Sequence, residues 1–499
     1  MRLTCPPARL DALPIRDVKL NLSCRDEIIP ILRALQQVYQ DDSSRHDLLA
    51  LVGKDINQGT SRKLGRRGLN YWEVTVLAAA RLGCNLDYDK LQDLAENHRC
   101  LRAIMGIGDW QAAEADFSWQ RIEDNVLKLQ PETLRKINDL IVRVGHELKP
   151  KAITAVRGDS FVVKTNIHYP TESSVIGDGL RKMLPLAAEL AAAHGRDGWR
   201  QHEHLLKKVR QLVLTIDRAG RAKRQGADRL KPGYQKLLEL AKDLLQRGRR
   251  LLLTLAFAMG PTEPSLDQLK NRAAPATRKG LLLHYILLTE KVCTNARRRV
   301  LHGETLTNEE KIFSIFEPHT ELINRGKQPN PIEFGHKVLV IEDAVGFVVD
   351  YQVVKDGVLD QDLVVPVLKQ VQKRFKNKIQ SASFDRAFHT PDNQKELAEI
   401  VTTPCIAAKG AKQGRQQQEE GTVAFRQARQ DHPGVESAIG ALQAGNGLER
   451  CRDRSKRGYE RYVGLGILGR NLHTLGKLLV AQDQADCQAA KSKRKRKTG

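Results

Sequence analysis

The strand-forming sequence of this chain comes in two blocks, separated by a long stretch of charged helical sequence. The first block, AITAVRGDSFVVKTNIHYP, is dense in β-branched residues and reads as two short strands around Gly158 and Asp159. The second opens with HKVLVIEDAVGFVVDYQVV, with a turn near Asp343 to Gly346. It continues as a helix from Asp362 to Lys376, a strand (IQSASFD), a helix (PDNQKELAEIV) and a further strand (TPCIAA). Between them, from Gly177 to Arg299, segments such as EHLLKKVRQLVLTIDRAGR carry apolar residues at helical spacing among many charges. With that stretch removed, the remaining pattern is a mixed α/β sheet flanked by helices.

The chain is too long for one core, so two to four domains are expected. Residues 25–148 read as a string of helices. The pair broken at Gly83, Cys84 and Asn85 resembles a helix-turn-helix with its second helix from Tyr88 to Met105, although ordinary helical packing gives the same pattern. The expected division is a helical, DNA-binding N-terminal region (1–148), the first part of an α/β catalytic core (149–176), a helical insertion (177–310), the rest of the core (311–482) and a basic disordered tail (483–499). The helices HPGVESAIGALQ and YERYVGLGILGRNLHTLGKLLV fall in the second part of the core, and KSKRKRKTG ends the tail.

Charge narrows the partner. Lys and Arg total 82 against 59 Asp and Glu, a net charge of +23, which favours a polyanion, and nucleic acid is the commonest. The eight cysteines form no C-x-x-C pair, which argues against a zinc ribbon or a disulfide framework and suits a reducing cytosol. The start of the chain has no apolar signal core. The longest apolar runs, such as Leu251 to Met259, are about half the ~18 residues a membrane span needs. A cytoplasmic protein with no membrane partner is expected. No G-x-x-x-x-G-K-[ST] loop is present, so no nucleotide cofactor is expected.

Two strand-end acids stand out, Asp159 after AITAVRG and Asp385 after IQSASF. Burying a carboxylate without a partner is costly, and the carboxyl ends of strands are where α/β sheets tend to place their sites. A third acid, Glu436, lies in the first turn of a helix opened by His432 and Pro433. Hard divalent cations take oxygen ligands, and two aspartates and a glutamate suffice to hold two such ions for phosphodiester chemistry. The same residues also suit plainer roles, the aspartates as turn caps and Glu436 as a complement to the helix dipole.

The segments GDSFVVKTNIHYPTESSVIGDGL, FEPHTELINRGK, FGHKVLV, SFDRAFHTP, HPGVESAIGAL and YERYVGLGILGRNLHTLGKLL resemble, in the same order, DDE transposases of bacterial insertion sequences, nearest to the ISNCY family. The resemblance covers residues 60–480. It implies an RNase H-like core, a catalytic and metal-binding triad of Asp159, Asp385 and Glu436, and Mg²⁺ or Mn²⁺ as cofactor. It also implies homo-oligomeric assembly on transposon ends and target DNA in a bacterial, nucleoid-associated enzyme. Two departures stand out. Better-known relatives carry their insertion after the second aspartate, not the first. They also place a Tyr and an Arg on the glutamate's helix, where this chain has Ala438, Gly440 and Gln443. The nearest candidates are Arg450, Tyr459 and Arg461, and Glu419, Glu420 and Glu449 are the substitutes for the third acid.

Arg325, Lys327, His336, Lys337, Arg386 and His389 share segments with the triad, and Arg450 and Arg461 follow it. All eight are candidate DNA contacts, because phosphate is bound mainly by Arg, Lys and backbone amides. The expected function is metal-dependent cleavage at insertion-sequence ends and strand transfer. The alternatives are a metal-dependent nuclease without joining and a non-catalytic DNA-binding protein derived from a transposase.

Overall fold

The computed structural model describes residues 2–7, 9–58, 68–108, 117–257, 277–326, 331–355, 357–408, 418 and 420–498, with backbone alone for 223–229, 256–257 and 491–498. The chain divides into two compact units, one made of Met1–Lys164 and His336–Gly499, the other of Thr165–Gly335. The interrupting unit is therefore wider at both ends than the helical stretch 177–310 expected from texture.

In chain order, the first helices are α1 (Ile28–Gln40), α2 (Asp42–Ile56), α3 (Tyr71–Gly83), α4 (Tyr88–Asn97), α5 (Arg99–Ile104), α6 (Trp119–Val126) and α7 (Pro131–Leu148). Strand β1 (Ala155–Lys164) follows. The second unit then carries α8 (Glu172–Ala193), α9 (His202–Arg221), α10 (Lys223–Phe257), α11 (Arg278–Ala296) and β2 (Glu321–Asn324). Next come β3 (Ile332–Asp343), β4 (Val348–Val353), α12 (Asp360–Arg374), β5 (Ser381–Phe384), α13 (Pro391–Ile400) and β6 (Thr403–Ile406). The chain ends with α14 (Val423–Asp431), α15 (Pro433–Ala444) and α16 (Lys456–Thr498).

The first unit is built on a mixed sheet in the order β4-β3-β1-β5-β6. β4 is antiparallel to β3, while β5 is parallel to both β1 and β6. The amide of Ala344, just past β3, bonds the Ala152 carbonyl just before β1, and the Arg157 side chain meets Glu342. Those pairings join the start of β1 to the end of β3, the sense of an antiparallel pair. The β3–β4 hairpin turns at Gly346 (φ +104°), where only glycine is unstrained. The Asp343 carboxylate accepts the amides of Val345, Gly346 and Phe347.

β1 is one strand and not two. Gly158 reads as a break in sequence, but a Cβ there would lie 2.4 Å from Phe384 Cε1 and 2.7 Å from Ile341 Cδ1. The glycine leaves room for side chains of both neighbouring strands and turns nothing. Asp159 therefore sits in mid-strand.

Helix α16 runs through the core of this unit against α1, α3 and α7. From Tyr459 to Leu479 it is buried on nearly all sides, the mark of a central helix. Its glycines permit the close crossings: a Cβ on Gly469 would lie 2.7 Å from the Gly83 Cα of α3, and one on Gly476 would lie 1.8 Å from the Pro30 carbonyl oxygen of α1. The helix continues to Thr498, so the backbone of 483–498 is helical where the basic composition suggested a disordered tail. Lys and Arg are good helix formers, so the run of charge does not stop it. The helix expected from Tyr88 to Met105 is instead two, parted at His98, whose Nδ1 caps α5 by accepting the Leu101 amide. Its first part, α4, carries Asp89, Asp93 and Glu96 against Lys90 alone, a charge that suits packing and not entry into a DNA groove.

Burial pulls the His473 imidazole of α16 down to about 4, with Lys477 and Arg470 adding to the shift. In the unfolded chain this group titrates near 6.5. As pH falls from about 6.5 to about 4 the unfolded state takes up the proton first, so this group's contribution to stability is lost across that window. His473→Gln is expected to flatten that part of the profile. Urea midpoints at pH 7 and pH 5 check it, and an equal fall in wild type and variant refutes it.

The second unit has its own apolar core, with Val175, Leu180, Met183, Leu184, Leu237, Leu244 and Ile286 from α8, α10 and α11. Gly179 lets α8 and α11 approach closely, since a Cβ there would lie 2.0 Å from Thr289 Oγ1. It holds 29 Lys and Arg against 18 Asp and Glu, an excess of eleven positive charges. No described helix of the chain is long and apolar enough to cross a membrane.

Candidate active site

The two aspartates occupy equivalent places on neighbouring strands. β1 and β5 run parallel with Arg157 beside Ser383 and Gly158 beside Phe384. Asp159 and Asp385 come one residue later, and Asp385 keeps extended backbone (φ −69°, ψ 163°) just past the strand end. Side chains alternate along a strand and neighbouring parallel strands lie about 4.8 Å apart. Asp159 and Asp385 therefore share one face of the sheet with Arg157 and Ser383. Each aspartate accepts the amide of the next residue, Ser160 or Arg386, at 2.7 Å. Asp385 is exposed and Asp159 half-buried.

The start of α15 packs on this face. Arg157 Nη1 donates to the Asp431 carbonyl at 2.8 Å, and His432 Nδ1 lies 3.1 Å from Ser383 Oγ. A Cβ on Gly434 would lie 2.1 Å from Arg157 Nη1, so glycine is what lets the helix start sit on the arginine. Val435, Ala438 and Leu442 anchor α15 in the core, which leaves Glu436 in its first turn exposed. Burial pushes the His432 imidazole below its ordinary value and Arg429 adds to this, while Asp385 and Glu436 pull it back up. Both carboxylates thus act on one imidazole. Behind Arg157, Glu342 of β3 accepts its Nε at 2.8 Å, and Arg470 Nη2 lies 3.7 Å from the other oxygen. Burial raises the Glu342 carboxyl above its usual range even with these cations beside it.

The other candidates separate. Of the substitute acids, Glu420 Oε1 accepts the Ala408 amide at 3.0 Å, and Glu449 lies 4.0 Å from Lys164 Nζ at the far end of β1. Glu419 and Lys327 lie outside the described residues. His336 is 2% exposed, its ring 4.8 Å from that of Tyr459, and Arg461 is 7% exposed. Neither can reach a phosphate, so both are withdrawn as DNA contacts. Arg461 instead pairs with Asp453 and donates to the Leu127 carbonyl. Tyr459 donates to the Val163 carbonyl at 2.8 Å, a tie between β1 and α16. Lys337 is held by Asp360 at 3.0 Å. Arg386 is exposed beside Asp385, His389 lines a cleft with Lys395 and Glu420, Arg450 is exposed near the end of β1, and Arg325 lies in the second unit.

Sequence reasoning missed Arg157, Ser383 and His432. The signal for the first two was alternation, since each lies two residues before an aspartate on a strand. His432 was visible only as a helix opener.

The site offers accessible carboxylate oxygens with guanidinium and imidazole groups at its edge, a donor set that suits a hard divalent cation. Among the described residues, no three carboxylate, imidazole or thiol side chains stand close enough together to hold a metal ion. Comparison of the chain with protein-family models, with curated proteins and with solved structures returned no match.

Proposed function

We propose that the chain is a DDE-type DNA transposase that cuts at the ends of an insertion sequence and joins them to target DNA. The observation that carries this reading is the placement of Asp159 and Asp385 side by side on parallel strands, with the first turn of α15 over the same face. Antiparallel β4, β3 and β1 continued by parallel β5 and β6 are compatible with the RNase H-like core that the sequence resemblance implies. In this reading Asp159, Asp385 and Glu436 hold Mg²⁺ or Mn²⁺. Two such ions, when bound, activate the attacking oxygen and stabilise the leaving one.

The chain's own part is positioning. The β1–β5 ladder fixes the two aspartates, and Glu436 is exposed in the first turn of an anchored helix whose start packs on the same face. Arg386, exposed beside Asp385, would take a phosphate next to the scissile bond, and charge-assisted contacts of this kind orient the strand. Joining consumes no nucleotide, because the bond energy of the cut phosphodiester is retained in the new one. The enzyme works as a homo-oligomer on DNA.

The test is incubation of the full chain with insertion-sequence end DNA and Mg²⁺. Nicking at the ends is expected, and precut ends should give joined product with a target plasmid. Nicking without joining would reduce the reading to a nuclease. Binding with no cleavage under any divalent ion would overturn it.

A further inference from the structure

A cleft of about 170 Å³ opens in the second unit between the start of α8 and the β2–β3 ladder. It is smaller than the ~300–1,000 Å³ of pockets for drug-sized ligands, and suits one flat ring. Its walls are aromatic. Phe313 and Phe334 pack at 5.4 Å between centroids, and Tyr169 stands edge-on to Phe334 at 5.7 Å. Tyr169 is nonetheless 73% exposed. The two rings are perpendicular, so Tyr169 is held by Phe334 while most of its surface stays open to solvent. Two cations complete the rim. Arg299 is paired with Glu172 at 2.5 Å, and Lys311 has no carboxylate partner among the described residues.

Aromatic faces beside cations are how proteins hold unpaired nucleotides, the ring taking the base and the cation the phosphate. We propose that this cleft captures a single unstacked base of a DNA strand, stacked on Tyr169, with Lys311 and Arg299 on the adjoining phosphates. The inference rests on the transposase reading only in taking DNA as the substrate. It adds a second contact point, on the inserted unit, that engages DNA as single strand.

The experiment needs no metal and no cleavage. The full chain in EDTA is titrated with single-stranded oligonucleotides carrying one 2-aminopurine at successive positions, and both quenching and affinity are read. Wild type and Tyr169→Phe are expected to quench the probe at a defined position. Tyr169→Ala should abolish the quench and weaken binding by about 5- to 150-fold, the range covered by loss of one stacked base. Lys311→Ala should keep the quench and lower the salt dependence by about one phosphate contact. Tyr169 is exposed, so its replacement leaves the fold intact. Unchanged quenching in Tyr169→Ala would overturn the proposal. Displacement of the oligonucleotide by free deoxyadenosine monophosphate at matching concentration would reassign the cleft to a mononucleotide. If wild type binds no DNA, the transposase reading falls too; if it binds and Tyr169→Ala is silent, the cleft alone is wrong.

Discussion

Asp385→Asn and Glu436→Gln are each expected to lose Mg²⁺-dependent cleavage of end DNA by on the order of 10³-fold, while Glu420→Gln and Glu449→Gln cut at wild-type rates. Metal-ion charge stabilisation is worth several kcal/mol in the transition state, and each ~1.4 kcal/mol is tenfold in rate. A neutral amide is a far poorer ligand for a hard cation than a carboxylate. The four acids divide on position. Asp385 stands beside Asp159 in register, and Glu436 lies in the first turn of a helix whose start bonds Arg157 and Ser383 on the same face. Glu420 is occupied with the Ala408 amide. Glu449 neighbours Lys164, five residues beyond Asp159 and so about 17 Å along the strand at ~3.3 Å per residue. Retained DNA binding in EDTA serves as the folding control. Wild-type cutting by Asp385→Asn would remove the triad altogether. Cutting by Glu436→Gln but not by Glu449→Gln would move the third ligand.

How much of this was legible in sequence depended on the range of the interaction involved. The strands were readable because β-branched density and period-two burial are local properties. The register that puts Asp159 beside Asp385 is not local, since it joins strands more than 200 residues apart in a chain interrupted by a second compact unit. Gly158 was misread for the same reason. A glycine before an acid looks like a turn until Phe384 and Ile341 are known to fill the space its missing side chain leaves. His336 and Arg461 looked available because they lie near candidate segments in sequence, yet tertiary packing buries both. HKVLVIED carries a continuous apolar run that is buried on both faces, but what covers His336 is decided by elements elsewhere in the chain. Helix α16 was recognisable as a helix, though its glycines reveal their purpose only against Gly83 and Pro30. Arg450 and Arg461 were both read as candidate DNA contacts, and the structure separates them. Arg450 is exposed, while Arg461 faces inward onto Asp453.

Asp453→Ala is expected to lower the unfolding free energy by about 3–5 kcal/mol, the cost of leaving a buried partner charge unpaired. One Asp453 oxygen lies 2.6 Å from Arg81 Nη2 of α3, and the other 3.2 Å from Arg461 Nη2 of α16. The three side chains are 2%, 3% and 9% exposed respectively. Arg81 also lies 4.0 Å over the Tyr88 ring, and Arg461 reaches the Leu127 carbonyl. These contacts do not replace the carboxylate: Arg81 Nε and Nη1 and Arg461 Nε are buried with no hydrogen-bond partner among the described residues. Burial works against the Arg81 charge, and Asp453, together with Tyr88 and Tyr462, more than restores it. Removing Asp453 leaves two guanidiniums in a site with no other acid bonded to them among the described residues, so the loss belongs at the upper end of the range. Asp453→Asn, which keeps shape and one acceptor, should lose less. The triple change Arg81→Met, Asp453→Leu and Arg461→Leu should recover most of the stability, since apolar replacements of buried ion clusters are often neutral or better. Urea midpoints at constant m-value report all three. A loss under about 1 kcal/mol in Asp453→Ala would mean that water or another acid reaches these arginines, and that the α3–α16 contact rests on its apolar and glycine packing alone.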